Sequence, residues 1–253
     1  MIATLRALRL LLHIAVGSLL CAIVLLDITR KLPREKLTQW WNSALLDILN
    51  IRISIHGEPM AGARVTVANH VSWLDIPLIA ASEPTRFVSK SEVRRWPIAG
   101  LFAEAAGTFY LRRGKGGSAP LLERLKPHLQ TGGSVVFFPE GTTTDGAQVL
   151  NFHARLFSAA VDAACPVQPL ALRYGRGADG SDVAPFIGDD DLLSHLLRIL
   201  REPQLCAELT YCAALPAGLA RDELAVRSRA AICTALAAAS PSPALPDLNL
   251  ASA

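Results

Sequence analysis

A short β-branched run that leads into a histidine places the strongest constraint on how this chain can fold. Residues 64 to 68 read Arg-Val-Thr-Val-Ala, a composition typical of a buried strand. Asn69 and His70 follow directly, and Asp75 comes five residues after the histidine. Open α/β sheets place their chemistry at the carboxyl ends of such strands. The stretch therefore predicts a buried strand, a polar loop that carries His70, and then a helix.

His70 and Asp75 are spaced for a catalytic pair, although the same spacing suits ordinary helix capping. Five residues along one helix would put two side chains about 140° apart. Because His70 precedes the predicted helix, however, the Asp75 carboxylate can turn back to the imidazole. A carboxylate on one ring nitrogen fixes the tautomer and leaves the other nitrogen as a base. The alternative is a histidine that caps the helix and an aspartate that stabilises its N-terminus.

Two later segments repeat the arrangement of a strand followed by polar residues. Residues 107 to 112 predict a strand that ends at Arg112, whose guanidinium can hold a phosphate through two hydrogen bonds. Residues 134 to 138 predict a buried strand. The residues that follow it are Pro139, Glu140, Gly141 and Thr142. Glu140 can accept bonds from substrate hydroxyls or brace nearby backbone, and Gly141 lets the chain approach a ligand closely.

Taken together, these blocks resemble the glycerolipid acyltransferase family. The His70, Arg112 and Glu140 blocks match the family's first three blocks in order. Residues 165 to 172 match its fourth, a proline-valine step into a strand, and the resemblance covers about residues 50 to 240. Each block alone is also typical of a cap, a surface arginine or a solvated turn. The resemblance implies an α/β fold, with a mixed sheet that carries helices on both faces.

The resemblance also implies an activity, the O-acylation of a lyso-lipid. His70 would take the proton from the acceptor hydroxyl, and Asp75 would orient the imidazole. The hydroxyl oxygen would then attack the thioester of acyl-CoA or acyl-carrier protein, which are substrates, so that no bound cofactor and no metal is required. The residues that the family pattern assigns to substrate binding are Asn69, Arg112, Glu140, Gly141 and Thr142.

The third block departs from the family at one position that bears on the acceptor. The family usually carries an arginine two places after the block's glycine, and Thr143 stands there. The general family assignment is acylation of 1-acyl-sn-glycerol-3-phosphate to phosphatidic acid. Bacterial relatives with a threonine-rich third block resemble the enzymes that acylate lyso-ornithine lipid, whose zwitterionic head group would not need a second arginine. Both acceptors stay open on sequence alone.

Two other classes of function use the same features. A membrane lipid-binding protein without turnover would keep the fold, and a hydrolase would use His70 and Asp75 on water. All four blocks keep their chemical residues, and the sequence has no Gly-x-Ser-x-Gly elbow, which argues against both. A formal charge of +3 is too small to indicate a nucleic-acid partner. Five scattered cysteines indicate thiols in a reducing compartment and no metal site.

Residues 10 to 26 form a run of seventeen residues without charge. As a helix this run spans about 25 Å, slightly less than a hydrocarbon core of about 30 Å. A signal peptide is disfavoured because no small-x-small cleavage site follows. A transmembrane helix and a helix buried in one leaflet both fit. The basic residues are Arg6 and Arg9 before the run, and Arg30, Lys31, Arg34 and Lys36 after it; the heavier second group favours a cytoplasmic catalytic domain.

Residues 35 to 49 predict a second helix, in which Trp40 and Trp41 suit either a core or a membrane interface. We therefore predict a membrane-associated helical segment over 1–49, an acyltransferase domain over 50–239 and a mobile tail over 240–253. The expected partners are membrane lipids, the lyso-lipid acceptor and the acyl donor, with no nucleic acid. The expected location is the inner membrane, with the catalytic domain facing the cytoplasm.

Overall fold

A seven-stranded mixed sheet lies at the centre of the protein. The computed structural model describes residues 2–27, 29, 31–112 and 119–238. The strands in chain order are β1 (Ile51–His56), β2 (Arg64–Ala68), β3 (Arg86–Lys90), β4 (Phe109–Leu111), β5 (Ser134–Phe137), β6 (Val167–Tyr174) and β7 (Leu205–Tyr211). Their order across the sheet is β1-β7-β6-β2-β5-β3-β4, and among these described strands only β6 and β7 pair antiparallel. The predicted mixed sheet is confirmed.

Helices cover both faces of the sheet, as predicted. They are α1 (Ile2–Leu26), α2 (Arg34–Leu49), α3 (Asp75–Ser82), α4 (Ala99–Ala105), α5 (Ala119–Gln130), α6 (Ser158–Ala163), α7 (Leu192–Arg201) and α8 (Arg221–Ala238). The cluster that contains Leu49, Leu78 and Ile199 packs α2, α3 and α7 on one face. The cluster that contains Leu125 and Leu224 packs α5 and α8 on the other.

The central strands are apolar at successive positions because both of their sides are covered. In β2, Val65 and Val67 join one cluster, while Ala68 joins the other. In β5, Phe137 and Val136 divide between the two clusters in the same way. Side chains alternate between the faces of a strand, so a parallel strand between two helical layers needs a continuous apolar run. This requirement explains why the sequence signal for these strands was strong.

Two helical segments each consist of two short elements. The first is a 3₁₀ helix over Ser91–Arg95 followed by α4, because Pro97 has no backbone N–H to continue the first element. The second is a 3₁₀ helix over Ala154–Phe157 followed by α6. The predicted tail and the basic residue Arg30 lie outside the described residues.

The apolar N-terminal run lies in a longer helix than its composition suggests. Helix α1 has 25 residues, about 37 Å at 1.5 Å per residue. Among the described residues it is the one helix long and apolar enough to cross a membrane, by length and composition. Its N-terminal turns are held because Arg6 donates hydrogen bonds to the carbonyls of Glu202 (2.5 Å) and Pro203 (2.8 Å), just after α7.

One side of α1 packs on the domain and the other side is exposed. Leu10 and Val24 are buried, and Gly17 leaves room for the Trp41 indole of α2, since a Cβ there would lie 2.5 Å from Nε1. The exposed apolar side chains are Leu5, Leu8, Leu11, Leu12, Val16, Leu19, Ile23, Leu25 and Leu26. Because α1 and α2 share a core cluster with the sheet, the domain boundary placed at residue 50 stays a prediction.

A buried ion pair fixes α3 against β2. Arg64 begins β2, and Glu83 follows α3. Their side chains form an ion pair in which the residues are only 6% and 1% exposed. Burial also lowers the pKa of Arg64. The ion pair thus joins the start of β2 to the end of α3. This contact lies at the end of the strand–helix unit that is opposite to His70.

We expect Glu83→Ala to destabilise the protein strongly, because it leaves the buried Arg64 guanidinium without its partner. Breaking a buried pair in this way costs about 3–5 kcal/mol. Glu223→Ala is the matched control, since Glu223 forms an exposed ion pair with Arg227, a type of pair that contributes about 0.5 kcal/mol or less. Thermal unfolding of both variants in the same detergent measures the difference, and equal losses would refute the structural role of the buried pair.

Candidate active site

Two of the polar blocks, those of His70 and Glu140, meet at the carboxyl edge of three adjacent parallel strands. Strand β2 lies between β6 and β5 and runs parallel to both. Its end therefore brings His70 next to Glu140, which follows β5, and next to Tyr174, which ends β6. This is the edge at which open α/β sheets place their ligands.

His70 and Asp75 form the predicted pair. The imidazole Nδ1 of His70 lies 2.7 Å from Oδ2 of Asp75. The ring stacks on Phe138, with 4.0 Å between ring centroids and 13° between the ring planes. Its side chain is 19% exposed. Because Nδ1 is bound to the carboxylate, Nε2 is the nitrogen left to act as a base.

Asp75 is fully buried and accepts hydrogen bonds through both carboxylate oxygens. Besides His70, its Oδ2 accepts the backbone N–H groups of Val71 at 2.7 Å and Ser72 at 3.0 Å. Its Oδ1 accepts the Tyr174 hydroxyl at 2.6 Å. A buried charge is tolerated only when it is paired and hydrogen-bonded, which these four donors provide. The loop between the strand and α3 is therefore folded around one carboxylate.

Glu140 braces backbone on two sides of the site. Its Oε1 accepts the backbone N–H of His70 at 2.7 Å, and its Oε2 accepts that of Leu150 at 2.7 Å. Burial raises the pKa of Glu140, while these two donors oppose the shift. Asn69 is braced in the same way, since its amide exchanges hydrogen bonds of 2.9 and 2.8 Å with the backbone of Leu172. That Asn69 and Glu140 bind substrate stays a prediction.

A further loop, residues 183–187, is bonded to the His70 loop and to Thr143, which stands where the family pattern usually has arginine. The backbone N–H of Phe186 donates to the carbonyl of Val71 at 3.0 Å. The Thr143 hydroxyl donates to the carbonyl of Phe186 at 2.5 Å. Thr143 therefore holds this loop rather than offering a charge to a ligand.

Below this loop, the buried His195 bonds to the Trp73 indole. Trp73 donates to Nδ1 of His195 at 3.0 Å, and Nε2 of His195 lies 3.1 Å from the carbonyls of Ala184 and Pro185. Burial lowers the pKa of His195. These contacts require the neutral tautomer that carries its proton on Nε2. His195 thus fixes the loop and the indole beside the site.

A cavity of about 890 Å³ extends from His70. Gly141 and Thr142 of the third block line the cavity, and His153 packs beside Gly141. Its apolar wall is built by α1, α2 and α4, with contributions from Leu20, Cys21, Val24, Leu37, Trp41, Leu45 and Phe102. A cavity of this size and lining suits a hydrocarbon chain.

Arg112 also lines the cavity but lies apart from the other predicted residues. It follows β4 and is exposed, whereas His70 follows β2, three strands away. With strands about 4.8 Å apart, this separation is about 14 Å. Any group that Arg112 contacts is therefore remote from His70. Among the described residues, no three metal-ligating side chains come together.

Sequence reasoning missed Tyr174 and Phe138, which contact the pair directly. Neither belongs to a polar motif. The available signal was positional, because Tyr174 ends a strand that neighbours β2 and Phe138 follows another. Applying the strand-end rule to every parallel strand, rather than to the polar motifs alone, would have identified both.

Comparisons of the sequence with known proteins all find similarity to acyltransferases. The acyltransferase family profile matches residues 52–173. The lyso-ornithine lipid O-acyltransferase of Pseudomonas aeruginosa is 43% identical over 92% of this chain and 92% of its own length. The 1-acyl-sn-glycerol-3-phosphate acyltransferase of Neisseria gonorrhoeae is 33% identical, over 65% of each chain.

The fold is also shared with a solved structure. The crystal structure of the 1-acyl-sn-glycerophosphate acyltransferase of Thermotoga maritima aligns with a TM-score of 0.62 over 93% of this chain and 99% of that one, at 20% sequence identity. At that identity the likeness shows the fold, and the sequence relatives show the family. The chain belongs to the acyltransferase family, which includes the acyltransferases of lyso-ornithine lipid and of 1-acyl-sn-glycerol-3-phosphate.

Proposed function

We propose that this protein is a lyso-lipid O-acyltransferase that uses a thioester acyl donor and His70 as general base. The observation that carries the proposal is the imidazole of His70, tied through Nδ1 to Asp75 and set on the wall of a large apolar cavity. Membership of the acyltransferase family supports the reaction type. The apolar wall supports a lipid substrate.

The reaction follows from this geometry. Nε2 of His70 removes the proton of the acceptor hydroxyl as its oxygen bonds to the thioester carbonyl carbon. Asp75 supports the imidazolium that forms. Thr142, on the cavity wall beside the Gly141 turn, is the donor that we assign to the tetrahedral oxyanion. Collapse of this intermediate breaks the carbon–sulfur bond, and the proton on His70 passes to the leaving thiolate.

His70→Ala should lower turnover by about 10²- to 10⁴-fold, the usual effect of losing a general base. Purified protein with labelled acyl-CoA or acyl-carrier protein and a panel of lyso-lipids provides the assay. His56→Ala is the matched control, since His56 is an exposed histidine at the end of β1. Native turnover by folded His70→Ala protein would exclude the mechanism. Release of free fatty acid without an acceptor would instead identify a hydrolase.

For the acceptor, we propose lyso-ornithine lipid. The Pseudomonas aeruginosa and Rhizobium meliloti relatives named for this acceptor are 43% and 35% identical to the chain. The structure adds a physical reason, because the Thr143 hydroxyl bonds to the Phe186 carbonyl and supplies no charge for a phosphate dianion. Arg112, on the cavity wall, remains for the head group's single carboxylate.

Direct competition between lyso-ornithine lipid and 1-acyl-sn-glycerol-3-phosphate at equal concentration should favour the first. Thr143→Arg should shift the ratio of products about 10- to 100-fold towards the phosphate acceptor, since one charge-assisted contact contributes about 1.5–3 kcal/mol. Thr143→Gln is the matched control, because it also removes the bond to Phe186 but adds no charge. A wild-type preference for the phosphate acceptor that neither variant changes would refute the assignment.

We propose that the exposed side of α1 rests in the inner membrane, with the catalytic domain on the cytoplasmic side. The helix is held to the domain at both ends, by Arg6 on the carbonyls after α7 and by Arg34, which donates to the carbonyl of Val24 at 3.1 Å. A helix held along the domain in this way exposes one apolar side to a single leaflet. Of the two arrangements left open by the sequence, this favours burial in one leaflet over crossing.

Replacing Leu8 and Leu12 together by aspartate should weaken binding to phospholipid vesicles by about tenfold or more. Two apolar contacts with the lipid would be lost, and charged side chains are unfavourable in the apolar layer. Leu8 and Leu12 are 65% and 66% exposed. Val226→Asp is the control, since Val226 is 70% exposed on α8, which covers the other face of the sheet. Vesicle co-sedimentation measures the effect. Equal binding by both variants would contradict the proposed contact.

A further inference from the structure

Tyr174 connects a third strand to the His70–Asp75 pair. It is the last residue of β6, the strand that lies beside β2. Its hydroxyl donates to Oδ1 of Asp75 at 2.6 Å. Burial and the neighbouring Asp75 carboxylate raise the pKa of Tyr174 well above its usual value. The hydroxyl therefore stays protonated and donates this bond across the pH range in which an enzyme works.

The two carboxylate oxygens of Asp75 accept different numbers of hydrogen bonds. Oδ2 faces His70 Nδ1 and the backbone N–H groups of Val71 and Ser72. Oδ1 receives its bond from Tyr174. Asp75 is fully buried, so an oxygen that loses its donor has no contact with solvent to replace it. Each donor to the carboxylate withdraws electron density from it and weakens its attraction for the imidazole proton.

We propose that Tyr174 is a positioning residue that tunes the basicity of His70 through the Asp75 carboxylate. The inference rests on the proposed function, in which His70 is the general base. Tyr174 acts without touching the reacting atoms, because Asp75 lies between its hydroxyl and the imidazole.

The direction of the effect follows from the hydrogen bonds. Without the tyrosine hydroxyl, Asp75 attracts protons more strongly, so the pair takes up a proton more readily. A protonated pair cannot accept the proton of the acceptor hydroxyl, and activity is therefore lost at a higher pH. The other ionisable side chain that bonds to this loop, among the described residues, is Glu140 at the His70 N–H. Tyr174→Phe leaves Glu140 unchanged.

Tyr174→Phe should lower kcat about tenfold at pH 8 with little change in KM, because the Asp75 carboxylate that orients the imidazole loses one of its four donors. The ratio of wild-type to variant kcat should be larger at pH 6 than at pH 8. Tyr211→Phe is the matched control, because the buried Tyr211 hydroxyl bonds to Ser82 at 2.8 Å and lies close to Glu83. It should lower the unfolding temperature to a similar extent and leave the pH profile of kcat unchanged.

A second readout does not depend on turnover. Diethyl pyrocarbonate acylates unprotonated imidazole, and trypsin releases residues 65–86, in which His70 is the single histidine. In folded Tyr174→Phe protein, modification of this peptide should be slowed relative to wild type at pH 6 and not at pH 8. The same pH dependence for wild type and Tyr174→Phe in both assays would overturn the inference. If Tyr174→Phe is modified more slowly than wild type at pH 6 but the wild-type protein transfers no acyl group, only the proposed function is overturned.

Discussion

The carboxylate of Asp75, buried and bonded to four donors, is the interaction on which the site depends. It joins the imidazole, two loop N–H groups and a strand-end hydroxyl. A hydrogen bond to a charged group contributes about 1.5–3 kcal/mol, and leaving a buried charge without a donor costs more. The loop from His70 to the start of α3 therefore has one low-energy arrangement. In the proposed mechanism, the imidazole of His70 is thus held in its working orientation before any substrate binds, which reduces the reorganisation that the reaction requires.

Much of the fold could be predicted from local patterns. Continuous apolar runs gave the central strands, since parallel strands between two helical layers bury both sides. The order of the strands and the antiparallel pairing of β6 with β7 could not be obtained from the residues themselves, because a strand's periodicity carries no information about its neighbour. The full extent of α1 was missed for a similar reason. Its first turns are held by carbonyls beyond residue 200, a contact that no local composition signals.

In the site, contacts between residues close in sequence could be predicted, and contacts between residues on different strands could not. The spacing of His70 and Asp75 allowed either a bonded pair or ordinary helix capping, and the resemblance to the family favoured the pair, whose members lie close together in sequence. The behaviour of Asn69 and Glu140 was not predictable to that degree. Their polar atoms bond to Leu172, Leu150 and the His70 backbone, and only the packing of adjacent strands decides whether such groups face a ligand or the backbone. Tyr174 has no motif around it, so only its place beside β2 gives it a role.

The bonds of Arg6 have a consequence for biosynthesis. Their acceptors, at Glu202 and Pro203, lie 196 and 197 residues further along the chain. Ribosomes add about 5–20 residues per second, so α1 waits on the order of 10–40 seconds before its docking site exists. During that time the hydrogen bonds that hold its first turns cannot form. The N-terminal turns of α1 therefore dock on the domain only after most of the chain has been synthesised.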